Sequence, residues 1–348
     1  MKRTPIARTN NHWVCLITVL LLCSSKLSAA PIEVINSPGL FWQENLISNV
    51  NKIDRFLGDQ FTGELSSVRI IRSYMSPEYD LARHQIYIDE SYTPVELYHE
   101  YAHKVLDDML IKRCAAIRYF NLRRSFEDRD PVQVLREVEL EVADDVIYLQ
   151  ELKDLGYNKM AGNLARSIKN NQLKMQRIRD LLPEHQRYGA LYSRYRGEEG
   201  ELSLYQLIAP YHELFADSVS VLMTGSWNST YVAQLDRLKR SGEELAFVKT
   251  HPKMSQQQFL EYRAFKQGLT LKEYQFSPME QESSYTQFVP FRSHFRHLAE
   301  SEYRGQPQQL LYKLAQLISD EIGQRLDSES LYRMSLPEMN GRLITGLN

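Results

Sequence analysis

Between Leu135 and Leu152 the apolar residues Leu135, Val138, Val142, Val146, Leu149 and Leu152 recur at steps of three and four. That is the spacing of one helical face, and it predicts a helix over about 132–155. A second helix is expected over about 159–182, stopped by Pro183. Upstream the period shortens. "SSVRIIRSY" (Ser66–Tyr74) is β-branched and reads as a strand, "MSPEYDLAR" as a turn, and "HQIYID" (His84–Asp89) as a second short strand. Thr93-Pro94-Val95-Glu96 then has capping-box spacing with Pro at the first helical position. The helix it starts should run to about Arg124, where "FEDRDP" breaks it. "YSRYRGEEGELS" reads as a polar loop. Past Pro210 a helix carries "YHELFADSVSVLMTG" and stops at Gly225. Helices near 46–56, 255–268 and 307–326 complete the pattern. The class is α+β, predominantly α-helical, with a small N-terminal sheet and a long helical insertion at 130–183.

The first thirty residues follow a different rule. Lys2, Arg3 and Arg8 precede the short apolar run "WVCLITVLLLC", and "SKLSAA" ends in small residues. This is the pattern of a secretory signal peptide over 1–29, so export to the periplasm or the extracellular space is expected. The run is shorter than the ~20 residues a spanning helix needs, so no stable membrane span is expected after its removal. Cys15 and Cys23 leave with it, and Cys114 alone remains. A lone cysteine makes no internal disulfide and no thiolate zinc site.

Charge narrows the partners. Of 348 residues, 25% are charged, and the net charge is -2; residues 31–348 hold 38 basic and 44 acidic side chains. This mildly acidic balance gives no reason to expect nucleic acid or an anionic membrane.

The chemistry concentrates at "HEYAH", His99 to His103. Residues four apart share a helical face, so both imidazoles can address one ion. Glu100 sits about 100° round the helix, where it can take a proton from a metal-activated water without entering the coordination shell. Ala102 leaves room beside the pair. A catalytic zinc needs a third protein ligand and an open fourth position. "REVELEVADD" offers Glu141 among so many carboxylates that most must face solvent. "HELFADSVSVL" offers Glu213 and Asp217, nearly alone in an apolar helix, where a buried carboxylate requires a partner. Being four apart, they share a face, so Glu213 can ligate while Asp217 accepts the remaining N–H of a ligand imidazole. Glu213 is favoured, with Glu141 the alternative. "FRSHFRH" (Phe291–His297) clusters basic residues and reads as a solvated helix face.

"HEYAH" together with "ELFAD" resembles the gluzincin-type zinc metallopeptidases, which pair a His-Glu-x-x-His helix with a downstream Glu-x-x-x-Asp helix. The resemblance covers residues 66–110 and 205–225. About 110 residues separate His103 from Glu213, far more than in thermolysin-like members, so the relationship is distant. It implies a zincin-like core, one Zn2+ per chain held by His99, His103 and Glu213, Glu100 as general base, and Asp217 behind a ligand imidazole. It also implies a peptide or protein substrate, held in part by "HQIYID" as an edge strand. The expected layout is a catalytic region over 30–225 and a C-terminal helical region over 226–348 packed on the same core. The rival reading is a non-catalytic helical binding or scaffold protein with a structural metal site, closed by His212 as a fourth ligand.

Overall fold

The computed structural model describes residues 32–62, 66–73, 77–80, 83–125, 129–194, 204–241, 261–277, 280, 283–327 and 334–348. The expected signal segment and the loop residues 195–203 lie outside these. Four short strands form one mixed sheet: β1 (Ile32–Ile35), β2 (Val68–Arg72), β3 (Glu78–Asp80) and β4 (Gln85–Ile88), in the order β1-β2-β4-β3. β1, β2 and β4 run parallel, and β3 returns antiparallel to β4. His84, immediately before β4, has φ at 52°, the left-handed region that non-glycine residues seldom enter. The sheet thus ends on β3. "HQIYID" falls on β4, hydrogen-bonded on both sides, so the expected edge strand lies one position further out.

Helix α1 (Leu40–Leu57) and the single turn α2 (Asp59–Thr62) connect β1 to β2. α1 buries Leu46, Val50, Ile53 and Leu57, one stripe at helical spacing. Thr93 caps α3 (Pro94–Arg113) as its sequence promises: its hydroxyl accepts from Glu96 N–H, and Glu96 returns a bond to Thr93 N–H at 2.6 Å. From Glu96 to Leu110 every residue of α3 is buried, because α1, the sheet and later helices enclose it. Its polar residues therefore all need partners. Lys104 Nζ meets Asp108 Oδ2 at 2.5 Å and Ser66 O at 2.7 Å, and Tyr101 donates to Asp54 at 2.7 Å.

The helix does not reach Arg124 unbroken. Cys114 takes an extended backbone, and α4 (Ala115–Ser125) starts afresh. No Gly or Pro marks that break. Helices α5 (Pro131–Asp154) and α6 (Asn158–Arg194) form the long hairpin, and α6 runs through Pro183 instead of stopping there. Proline inside a helix costs about 3 kcal/mol. Beyond it, Tyr188 and Tyr192 pack on Tyr119 and Phe120 of α4, with Phe120 and Tyr192 centroids 5.2 Å apart, and this aromatic cluster holds the last turns.

α7 (Leu204–Thr224) begins before Pro210 and ends at Gly225, whose φ of 66° makes the left-handed cap. It is apolar on all sides and buried from Leu207 to Val221. α8 (Ser229–Ser241), α9 (Val289–Glu300), α10 (Pro307–Asp327) and α11 (Leu336–Leu347) follow. Most of the helix expected at 255–268 lies outside the described residues, and 262–268 form turns. One hydrophobic cluster runs from Leu46 through α3 and α7 to Leu347. No helix among the described residues is long and apolar enough to cross a membrane.

Candidate metal centre

α3 and α7 pack side by side at the centre of the fold. The contact brings "HEYAH" against "HELFAD". His99 Nε2 and His103 Nε2 stand 3.0 Å apart. Glu213 Oε2 is 3.2 Å from His99 Nε2, and its Oε1 is 3.7 Å from His103 Nε2. All three side chains are buried. Four-coordinate zinc bonds of about 2.0–2.2 Å at tetrahedral angles put neighbouring donor atoms about 3.3–3.6 Å apart. The three separations, the last two taken to different Glu213 oxygens, bracket that spacing, so the group could hold an ion.

Among the described residues, His99, His103 and Glu213 are the one group of three such side chains whose ligand atoms all lie within 4.8 Å of one another. His212 does not join them. Its ring stacks on His103 at 5.7 Å, and neither of its nitrogens has a hydrogen-bond partner. The closed four-ligand arrangement is therefore not built. Glu141 is exposed on α5 and takes no part. The long gap between the two ligand helices is taken up by α4 and the α5–α6 hairpin.

A buried charge cluster adjoins the triangle, and its Arg263 reaches the candidate ligand atoms themselves. Asp217 Oδ1 lies 3.3 Å from His99 Nδ1, close but off the hydrogen-bonding axis, since that nitrogen makes no well-aligned bond. Arg263 Nη2 donates to Asp217 Oδ1 at 2.5 Å and to Glu213 Oε2 at 3.2 Å, and it lies 3.4 Å from His99 Nε2. Arg292 Nη2 donates to Asp217 Oδ2 at 2.8 Å. Burial alone would keep Asp217 protonated. Arg263, His99 and Arg292 reverse that and hold its carboxyl far below the usual range. Arg263 stacks over Tyr285, 4.5 Å from the ring centroid, which fixes the plane of its guanidinium.

The two imidazoles differ. Burial pulls His99 down, but the Asp217 and Glu213 carboxylates beside it carry it up to about 9. Burial and the neighbouring cations push His103 well below its ordinary value. Glu100 is buried one residue on and takes no ligand position. Burial raises its carboxyl to about 7, opposed by His99 and by the Tyr79 backbone N–H, which bonds to it. Tyr79 belongs to β3, so the edge strand touches the candidate base directly.

The strand is held there by a tripod. Tyr79 Oη donates to Asp107 Oδ2 at 2.8 Å and lies 3.0 Å from His84 Nδ1, and His84 Nδ1 is 3.1 Å from the same Asp107 oxygen. Asp107 is one turn beyond His103 on α3.

Sequence reasoning missed both arginines. "FRSHFRH" is not a solvated face, because Arg292, Phe291 and Phe295 are all fully buried. The signal was present: Arg292 falls on the stripe Phe288, Phe295, Ala299, where a lone cation requires a counter-charge. Arg263 lies in turns with no periodicity to expose it. No family model, no curated protein and no solved structure matches the chain. The geometry of the site alone carries the functional argument.

Proposed function

We propose that the chain is an exported zinc-dependent metallopeptidase that hydrolyses peptide bonds, with one ion on His99, His103 and Glu213. The donor set supports zinc: two imidazoles and one carboxylate, with no thiolate and no ring of oxygens. Bound there, such an ion supplies Lewis acidity toward a carbonyl and lowers the pKa of water.

The chain's own residues divide the remaining work. Glu100, poised near neutrality and steadied by Tyr79 N–H, takes a proton from the attacking water and returns it to the departing amine. Asp217 orients His99 from behind, and Arg263 and Arg292 keep Asp217 ionised. β3, with its outer edge unpaired among the described strands, offers backbone groups to an extended peptide. Export rests on the basic-then-apolar pattern of residues 1–29.

The observation that carries this reading is a group of three candidate ligands with a buried glutamate beside it and no fourth protein ligand among the described residues. A structural zinc site is closed by four, and gains nothing from a base. The test is hydrolysis of a peptide library by zinc-loaded wild type and Glu100→Gln, with metal content measured in both. Cleavage by wild type alone, at equal zinc, supports the reading. Equal cleavage by both removes Glu100 from its role. Zinc bound with no cleavage by either favours the scaffold reading.

A further inference from the structure

The α5–α6 hairpin is poorly provided for as an isolated arm. α5 has α6 as its one substantial neighbour. Of the 34 residues from Leu140 to Leu173, only Leu152, Ala161 and Ile168 are buried. Two helices sharing so thin a seam hold little of the tertiary packing from which helices in proteins draw most of their stability. On the outside of α5, Leu140, Ile147 and Leu155 stand 62%, 63% and 69% exposed, roughly two turns apart, with Val146 and Tyr148 beside them. α6 shows Leu173 and Met160. Apolar side chains in a row on an arm mark a covered surface.

Charge indicates what covers it. α5 carries seven acidic and two basic residues, whereas α6 carries eight basic and two acidic. Within the hairpin this difference is barely used: among the described residues the single ion pair between the two helices is Arg179 with Glu139, at 2.7 Å. Asp144 and Glu151 line the exposed side of α5, and Arg166 and Lys169 that of α6. An arm with one acidic and one basic helix is complementary to itself turned about a two-fold axis, the commonest closed symmetry among oligomers.

We propose that the hairpin is a homodimerisation arm. α5 of one copy packs on α6 of the second, and the reverse contact follows from the symmetry. The product is a four-helix bundle that buries Leu140 and Ile147 and pairs Asp144 and Glu151 with Arg166 and Lys169 of the other chain. The inference stands apart from the metal site and survives or fails without it.

Sedimentation velocity on the purified full chain tests it, with far-UV circular dichroism and zinc content as controls for folding. Wild type is expected to dimerise, and Leu140→Glu with Ile147→Glu to weaken the dimer at least about tenfold. Charge reversal gives the sharper result. Asp144→Lys with Glu151→Lys sets lysines against Arg166 and Lys169 of the other chain; Arg166→Glu with Lys169→Glu sets glutamates against Asp144 and Glu151. Each variant alone is expected to be monomeric, and an equimolar mixture of the two to dimerise. A monomeric wild type at every concentration overturns the proposal. So does a folded double-Glu variant that associates like wild type, or a mixture that stays monomeric.

Discussion

Arg292 Nη2 and Asp217 Oδ2 form a 2.8 Å ion pair with both side chains fully buried. Arg263 completes the pair from the other side at 2.5 Å. Opposite charges are tolerable here only because each has its counterpart, and breaking a buried pair costs about 3–5 kcal/mol. Asp217→Asn keeps the shape and removes the charge. We expect it to lower stability by about 3 kcal/mol and to weaken zinc binding roughly 10- to 100-fold through His99. Chemical denaturation and zinc titration of the same preparation report both effects. Unchanged stability would mean that Asp217 does not carry the burial of the two arginines.

The ligand assignment has its own test. Glu213→Ala removes one corner of the triangle and should weaken zinc binding by more than roughly 100-fold, beyond what an outer-shell partner does. Glu141→Ala, on the exposed arm, should bind like wild type. Competition with a chromogenic chelator gives both constants. The reverse result would move the third ligand to α5.

His212 offers a negative control inside the site. Its ring stacks on His103 without ligating, so His212→Phe should leave zinc stoichiometry at one per chain. Loss of zinc in this variant, with the fold intact by circular dichroism, would restore the closed four-ligand site.

The tripod on α3 predicts a pH dependence away from the metal. Burial lowers His84, but its bonds to Asp107 and Asn121 outweigh this and leave it above the ordinary 6.5. A histidine raised in the folded state contributes stability that is complete below 6.5 and fades as pH rises through its folded value. His84→Asn, which tolerates the left-handed backbone, should remove that decline. Urea unfolding at pH values on either side of about 6.5 measures it. Parallel curves for wild type and variant would show that the Asp107 contact does not charge His84.

Much of this centre could be read in advance because its parts repeat at helical spacing. His99 and His103 share a face by arithmetic, and Glu213 and Asp217 stand out as charges in a helix that is apolar all round. The Thr93 capping box fixed where the ligand helix starts. What could not be read depends on tertiary contact. Pro183 stops a helix in isolation, but the aromatic cluster on α4 outweighs it. The break at Cys114 has no local cause. β3 is three residues long and takes its meaning from Tyr79 reaching Asp107 across the fold. Arg263 comes from turns, where spacing carries no information.

The insertion of the hairpin between the two ligand helices also bears on how the site is made. His103 and Glu213 are 110 residues apart along the chain, and joining them requires closing that loop. α5 and α6 are neighbours in sequence and can pair early. Once they do, about 64 residues fold back on themselves, and the effective loop shrinks to roughly 46, easing closure by about 0.8 kcal/mol. Pairing of the two arm helices therefore shortens the loop that has to close to bring the candidate ligands together. Shortening the arm by whole turns from its tip should leave the refolding rate nearly unchanged, whereas replacing it with a flexible linker of equal length should slow assembly of the ligand triangle.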